Sequence, residues 1–225
     1  MTYKNVVKGR FLSRPNRFIA YAEIDGREEK CHVKNTGRCK ELLTFGAEIY
    51  LEKAPEGGTR KTGYDVIAVK KGEMLVNIDS NAPNAAAFEY LRTLYGKDAL
   101  IRPETTFGSS RFDFYVEKGE ERRFIEVKGV TLEEGGIVRF PDAPTLRGAK
   151  HLRELTLAIR EGYSASVLFI IQMAGMKGFL PNDQTDPDFG RELRAARAAG
   201  VEICALECAV TPEEMTITKP IPLLF

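Results

Sequence analysis

Arg111-Phe112-Asp113-Phe114-Tyr115, followed by Phe124-Ile125-Glu126-Val127-Lys128, is the stretch on which the reading of this chain turns. Both segments are β-rich, and a Gly-containing turn at 118–121 joins them. Side chains alternate between the two faces of a strand. Phe112, Phe114 and Val116 are therefore expected on one face and Asp113 on the other. In the partner strand, Ile125 and Val127 share a face and Glu126 and Lys128 share the opposite one. The apolar sets can pack on a helix while Asp113, Glu126 and Lys128 converge on the far side. Two carboxylates can hold a hard divalent cation, which suits magnesium or manganese. A neighbouring ammonium can orient and help deprotonate a water held by that cation, and the water can attack a phosphodiester. A solvated ion-pair group on a half-exposed hairpin would show the same alternation. Two features favour the site: the hairpin feeds an apolar strand–helix–strand unit, and a further acid, Glu89, lies on the preceding helix beside Phe88 and Leu91.

Upstream of the hairpin, Asn81-Ala82-Pro83-Asn84 reads as a linker and a helix start. Ala87, Phe88, Leu91, Leu94 and Tyr95 then recur at helical spacing, with Gly96 as a stop. Downstream, a loop rich in Gly and Pro leads to a helix over 145–160. Its apolar stripe is Leu146, Ala149, Leu152, Leu155 and Ile159; Arg147, His151 and Glu154 lie on the opposite face. The continuous apolar run 166–173 is the mark of a central strand covered on both faces. Asp186-Pro187 caps and opens another helix ending at Gly200, and 201–210 is a further strand. Residues 81–225 thus read as a mixed α/β domain. The first eighty residues differ. Short strands at 6–12, 17–24, 28–33, 48–52, 64–69 and 74–78 are separated by Gly/Pro turns, and Asp25-Gly26 marks a tight hairpin. This pattern suits a small barrel, with the oligonucleotide-binding (OB) barrel foremost and a small β-sandwich as the competitor.

No apolar stretch is long enough to span a bilayer, and the N-terminus lacks the core of a signal peptide, so a cytoplasmic protein is expected. Cys31, Cys39, Cys204 and Cys208 match no common zinc spacing and read as free thiols. The net charge is +1, but residues 1–40 hold ten Lys/Arg against four acids, a local +6. A basic N-terminal part beside a more acidic one can set a phosphate-binding surface next to a metal-binding one. Arg10, Arg14, Arg17 and Arg38, interleaved with Phe11 and Phe18, can grip phosphates and stack bases; the alternative is a barrel core with a solvated rim. His151 can contact a phosphate or carry a proton, and Gln172 can donate to a bound strand or be a buried, satisfied amide.

Asp113, then Glu126-x-Lys128, behind a helix bearing Glu89, resembles the PD-(D/E)xK nuclease superfamily, except that Phe112 stands where that superfamily has proline. Longer strings resemble the sugar fermentation stimulation protein A family over nearly the whole chain. They are Arg10-Phe11-Leu12-Ser13-Arg14-Pro15-Asn16-Arg17-Phe18, Asn35-Thr36-Gly37-Arg38 and Glu126-Val127-Lys128-Gly129-Val130-Thr131-Leu132. Phe140-Pro141-Asp142-Ala143-Pro144-Thr145 with Arg147-Gly148-Ala149-Lys150-His151-Leu152, and Pro181-Asn182-Asp183, add to them. The resemblance implies an α/β (α+β overall) protein with an OB-like barrel over 1–80 and a restriction-endonuclease-like mixed-sheet domain over 81–225. It implies DNA as partner, and a role in regulating sugar utilisation. On this reading Asp113 and Glu126 ligate Mg²⁺ (or Mn²⁺), Glu89 supports a second ion, and Lys128 positions the water. Arg10, Arg14, Arg17, Arg38, Arg147, His151 and Gln172 contact nucleic acid. The rival reading keeps the nuclease fold as a non-catalytic DNA-binding regulator of sugar-utilisation genes.

Overall fold

Asp25 and Gly26 both take left-handed backbone (φ 51° and 74°), which closes a two-residue turn between strands β2 (Ile19–Ile24) and β3 (Arg27–Val33). In the computed structural model, residues 1–225 are described except Thr36, Arg38 and 56–59. Strand β1 (Val6–Ser13) pairs with β2 and with β4 (Glu48–Lys53); β5 (Tyr64–Lys71) pairs with β4. Parallel pairing of β3 with β5, at Cys31↔Tyr64 and Val33↔Val66, closes the five strands into a barrel. The closure and the order β3-β2-β1-β4-β5 are those of an OB barrel and exclude the sandwich. Alternate residues fill its interior: Phe11, Ala20, Ala22, Ile24, Cys31, Val33, Ile49, Leu51 and Val66 are all buried. The four cysteines are free. Strand β6 (Met74–Asn77) extends from β5 toward the second domain.

That domain opens with α1 (Ala82–Tyr95), whose Pro83 sits in the first turn where its missing N–H costs nothing. Strands β7 (Leu100–Phe107), β8 (Ser110–Lys118) and β9 (Glu121–Val130) follow as an antiparallel meander. After β10 (Leu132–Glu134) and β11 (Ile137–Phe140) come α2 (Leu146–Arg160), β12 (Ser164–Ile171), β13 (Gly178–Pro181), α3 (Pro187–Ala198), β14 (Glu202–Val210) and β15 (Met215–Pro220). The main sheet has the order β15-β14-β12-β9-β8-β7, with β9, β12 and β14 parallel at its centre; β10, β11 and β13 form a small second sheet. In β12, Leu168 and Ile170 face α1 while Val167, Phe169 and Ile171 face α2 and α3, so both faces are apolar. Among the described residues no helix is long and apolar enough to cross a membrane.

Several elements depart from the sequence expectation. Strands β7, β10, β11, β13 and β15 had no sequence signal: β7 carries Pro103 and β15 is polar, as edge strands can be, and the others are three or four residues long. Leu146 does not join the apolar stripe of α2 but is 87% exposed. His151 and Glu154, expected on a face opposite the Leu stripe, are buried together with Leu152 and Leu155. Gln172 is a clasp between the domains. Its backbone N–H donates to Val130 O (3.0 Å), and Asn77 N–H donates to its carbonyl (2.9 Å). Its side-chain Nε2 donates to Asn77 O, Asn77 Oδ1 and Asp79 O at 3.0, 3.0 and 3.2 Å. The amide hydrogens are therefore spent within the protein and are not free to bind a strand. A second clasp joins Lys71 Nζ to Glu133 Oε2 at 2.6 Å.

Candidate active site

The β8–β9 ladder runs from Lys118↔Glu121 to Phe114↔Ile125 and stops there. In place of the next ladder bond, Val127 N–H donates to the side chain of Asp113 (Oδ2, 2.7 Å), and Asn84 Nδ2 of α1 donates to Oδ1 (3.0 Å). Strict alternation fails at this point. Phe114 and Val116 pack under α1 with Ile125 and Val127, as expected, but Phe112 belongs to the cluster on the α2 side and meets the His151 ring edge-on at 5.6 Å.

Strand β9 keeps its alternation. Glu126 points toward α2, where His151 Nδ1 donates to its Oε1 at 2.6 Å; Lys128 Nζ donates to the same oxygen. Arg147 Nε donates to His151 Nε2 at 3.3 Å. A carboxylate can only accept and a guanidinium can only donate, so these two partners put a proton on Nδ1 of His151 and use Nε2 as the acceptor. Glu126 Oε2 is buried and has no hydrogen-bond partner among the described residues. Burial opposes ionisation of Glu126, but the His151 hydrogen bond and the Lys128 charge prevail and hold its pKa below the ordinary value. Asp113 moves the other way, raised by burial and then by the negative charge of Glu126. The two carboxylates thus share one site and repel each other, a cost that a cation between them would remove.

The donor set decides what cation fits. Among the described residues no group of three or more His, Cys, Asp or Glu side chains is gathered tightly enough to hold an ion. Two carboxylates, one with a buried oxygen left unpartnered, fit magnesium, which keeps several waters and takes phosphate oxygens alongside one or two protein carboxylates. They do not fit a closed zinc site.

Other expected residues scatter. Glu89 is exposed and pairs with the Met1 amino group at 2.6 Å; it is not brought to Asp113 and Glu126. Arg10 lies between its cross-strand neighbours Glu23 and Glu48 in a depression apart from the other arginines. Arg14 is structural: it donates to the carbonyls of Gly37 (2.9 Å), Arg17 (2.7 Å) and Asn35 (2.6 Å). Arg17, exposed, lines a groove of about 570 Å³ with Asn16, Lys40, Ala143 and Pro144, which bridges the barrel and the loop before α2. Arg38 lies outside the described residues. Arg147 borders a pocket with Arg111, Lys150 and His151. Sequence reasoning missed Asn84 and Lys40. Asn84 stood in the expected helix start, but nothing local shows that its amide meets a strand 29 residues away.

An OB barrel followed by a mixed-sheet domain with a buried pair of carboxylates is the class of protein these features define. The chain belongs to the sugar fermentation stimulation protein family. Residues 81–214 match the model described as "Sugar fermentation stimulation protein RE domain", and residues 12–78 match "SfsA N-terminal OB domain". It is 54% identical over 216 residues to a sugar fermentation stimulation protein homolog of Desulfitobacterium hafniense (strain DSM 10664 / DCB-2), covering 96% of this chain and 94% of that one. A homolog from Clostridium beijerinckii is 51% identical over 219 residues, covering 96% of each. The structure of Pyrococcus furiosus SfsA in complex with Ca²⁺ is similar over 100% of this chain and 98% of that one, with a TM-score of 0.87 and 29% identity.

Proposed function

We propose that this protein binds DNA and hydrolyses its phosphodiester bonds at a divalent-cation site made by Asp113 and Glu126, with magnesium or manganese as the cation. The observation that carries this reading is the buried, unpartnered Oε2 of Glu126 beside the raised carboxyl of Asp113. The Ca²⁺ in the related Pyrococcus furiosus protein supports a cation in this fold. When bound, the ion would supply positive charge to the phosphoryl oxygens of the substrate. His151 fixes Glu126 through Oε1, which leaves Oε2 to the cation. Lys128, held on the same Oε1, sets an ammonium beside the carboxylates, where it can orient the attacking water and offset charge on the phosphate. Arg17 and Lys40 contact the backbone of the bound strand along their groove. A regulatory role on sugar-utilisation genes would use the same binding surface.

The test is cleavage of labelled DNA with Mg²⁺ or Mn²⁺. Wild type is expected to cleave, and Glu126→Gln and Lys128→Ala to lose at least about 100-fold in rate while keeping affinity. His151→Ala should weaken cation binding by about 10–100-fold, read by calorimetry with Mn²⁺. Binding without cleavage on single-stranded, duplex and branched DNA would discard the enzyme and leave the DNA-binding regulator.

A further inference from the structure

At the carboxyl ends of the parallel strands β9 and β12, where open α/β sheets receive ligands, a cavity of about 170 Å³ lies between the barrel and the second domain. Its floor is Gly129, next in sequence to Lys128. A Cβ at Gly129 would lie 2.4 Å from Gln172 Oε1 and 2.7 Å from Pro83 Cγ, so a glycine keeps this floor open. Gln172 is 2% exposed, and its Nε2 is committed to three acceptors of the interdomain clasp. That fixes Oε1 over Gly129 as an acceptor with no hydrogen-bond donor among the described residues. Asn35 has its Oδ1 taken by Gly37 N–H (2.7 Å), which leaves Nδ2 as a donor at the rim. Arg139 of β11 also lines the cavity; its side chain makes no hydrogen bond or ion pair with the described residues, though its charge lies close enough to Asp183 to favour that carboxylate. Pro83 and Phe140 add apolar surface to the walls, and Ser80, Thr131 and Asp142 add further polar groups.

We propose that this cavity is a subsite for one unpaired nucleobase, so that the substrate enters as a single strand. The proposal rests on the nucleic-acid reading above and names the substrate class of that site. Three features argue for it. The volume is below the roughly 300–1,000 Å³ of pockets that enclose whole ligands, so it admits one flat heterocycle and no base pair. A fixed acceptor deep in the cavity, with an amide donor and a guanidinium at its rim, matches the mixed donor and acceptor edge that a base exposes only when unpaired. The apolar faces of Pro83 and Phe140 within this mixed lining can cover the face of such a ring. The position beside Lys128 places the base next to the backbone that the carboxylates would engage.

The experiment is fluorescence anisotropy in EDTA, with the full chain and three probes: a single-stranded oligonucleotide, the same strand with one abasic residue moved along it, and the duplex. Arg139→Ala is expected to weaken single-strand binding by about tenfold and to leave duplex binding unchanged. One abasic position is expected to lower wild-type affinity by a similar factor. On that probe Arg139→Ala should have no further effect, since both changes remove the same interaction. The abasic series uses unaltered protein, so it decides the matter even if the variant folds poorly. Equal losses on single strand and duplex, or no position sensitive to base removal, would overturn the base pocket while leaving nucleic-acid binding intact. Wild type that binds neither form would overturn the binding reading itself, and the pocket with it.

Discussion

Gly129→Ala tests the clasp between the two domains without reference to catalysis. The added methyl would meet Gln172 Oε1 at 2.4 Å and Pro83 Cγ at 2.7 Å, both closer than carbon and oxygen or carbon and carbon can approach. One of the two neighbours must move. Gln172 can turn away only by giving up its bonds to Asn77 and Asp79, each worth about 0.5–1.5 kcal/mol net. Pro83 can move only with the first turn of α1, an overpacking strain of about 1–3 kcal/mol. The cheaper route sets the loss at about 1–3 kcal/mol, or about 2–12 °C in melting temperature for a chain of this length. Thermal melting followed by circular dichroism reads it, with Gly63→Ala as control, because a Cβ there meets nothing within 4 Å. The double variant Gly129→Ala/Gln172→Ala should show coupling of about 1 kcal/mol, since the clash with the amide is then gone. A Gly129→Ala protein that melts within about 1 °C of wild type would refute the steric reasoning.

Two further outcomes follow from the barrel. Asp65 is buried, which opposes its ionisation, but Arg60, His32 and Lys34 outweigh that and hold its pKa below 3.8. A depressed folded pKa stabilises above the unfolded value and loses that contribution as pH falls through the folded one. Asp65→Asn should therefore cost about 2 kcal/mol near neutral pH, and urea titrations should show the difference shrink as pH falls below the ordinary carboxylate value toward the lower folded pKa; a difference that does not shrink in acid would count against the ion-pair account. Arg14→Ala should destabilise by about 2–3 kcal/mol, because three carbonyls lose their donor. Arg17→Ala should leave stability within about 0.5 kcal/mol while flattening the log–log salt slope of DNA binding by about 0.7–0.9 for each phosphate that is no longer neutralised.

The sequence by itself determined those features that depend on neighbours a few residues apart. Period-two alternation and the Asp25-Gly26 turn marked all six strands of the first eighty residues, within a residue or two of their observed ends. The apolar run centred on Val167–Ile171 marked the central strand β12, and Asp186-Pro187 marked the start of α3, whose cap Asp186 accepts from Phe189 N–H. The alternation of Glu126 and Lys128 against Ile125 and Val127 was also local, and it holds.

Tertiary structure alone decided what depends on partners far away in the chain. The β8–β9 ladder ends at Phe114↔Ile125, so Asp113 turns into the gap and Phe112 changes sides, an interruption that a strand pattern does not encode. Helical period defines the faces of α2 but not which face meets the sheet; the approach of Glu126, 25 residues away, turns His151 inward and leaves Leu146 in solvent. Glu89 sits on a helix whose position was legible but whose rotation was not, and that rotation takes it to the N-terminus. Gln172 becomes a clasp because barrel and sheet meet at Asn77, 95 residues earlier. Local sequence sets backbone propensity and side-chain polarity, whereas the pairing of buried polar groups is fixed only when distant segments pack and each must find a partner.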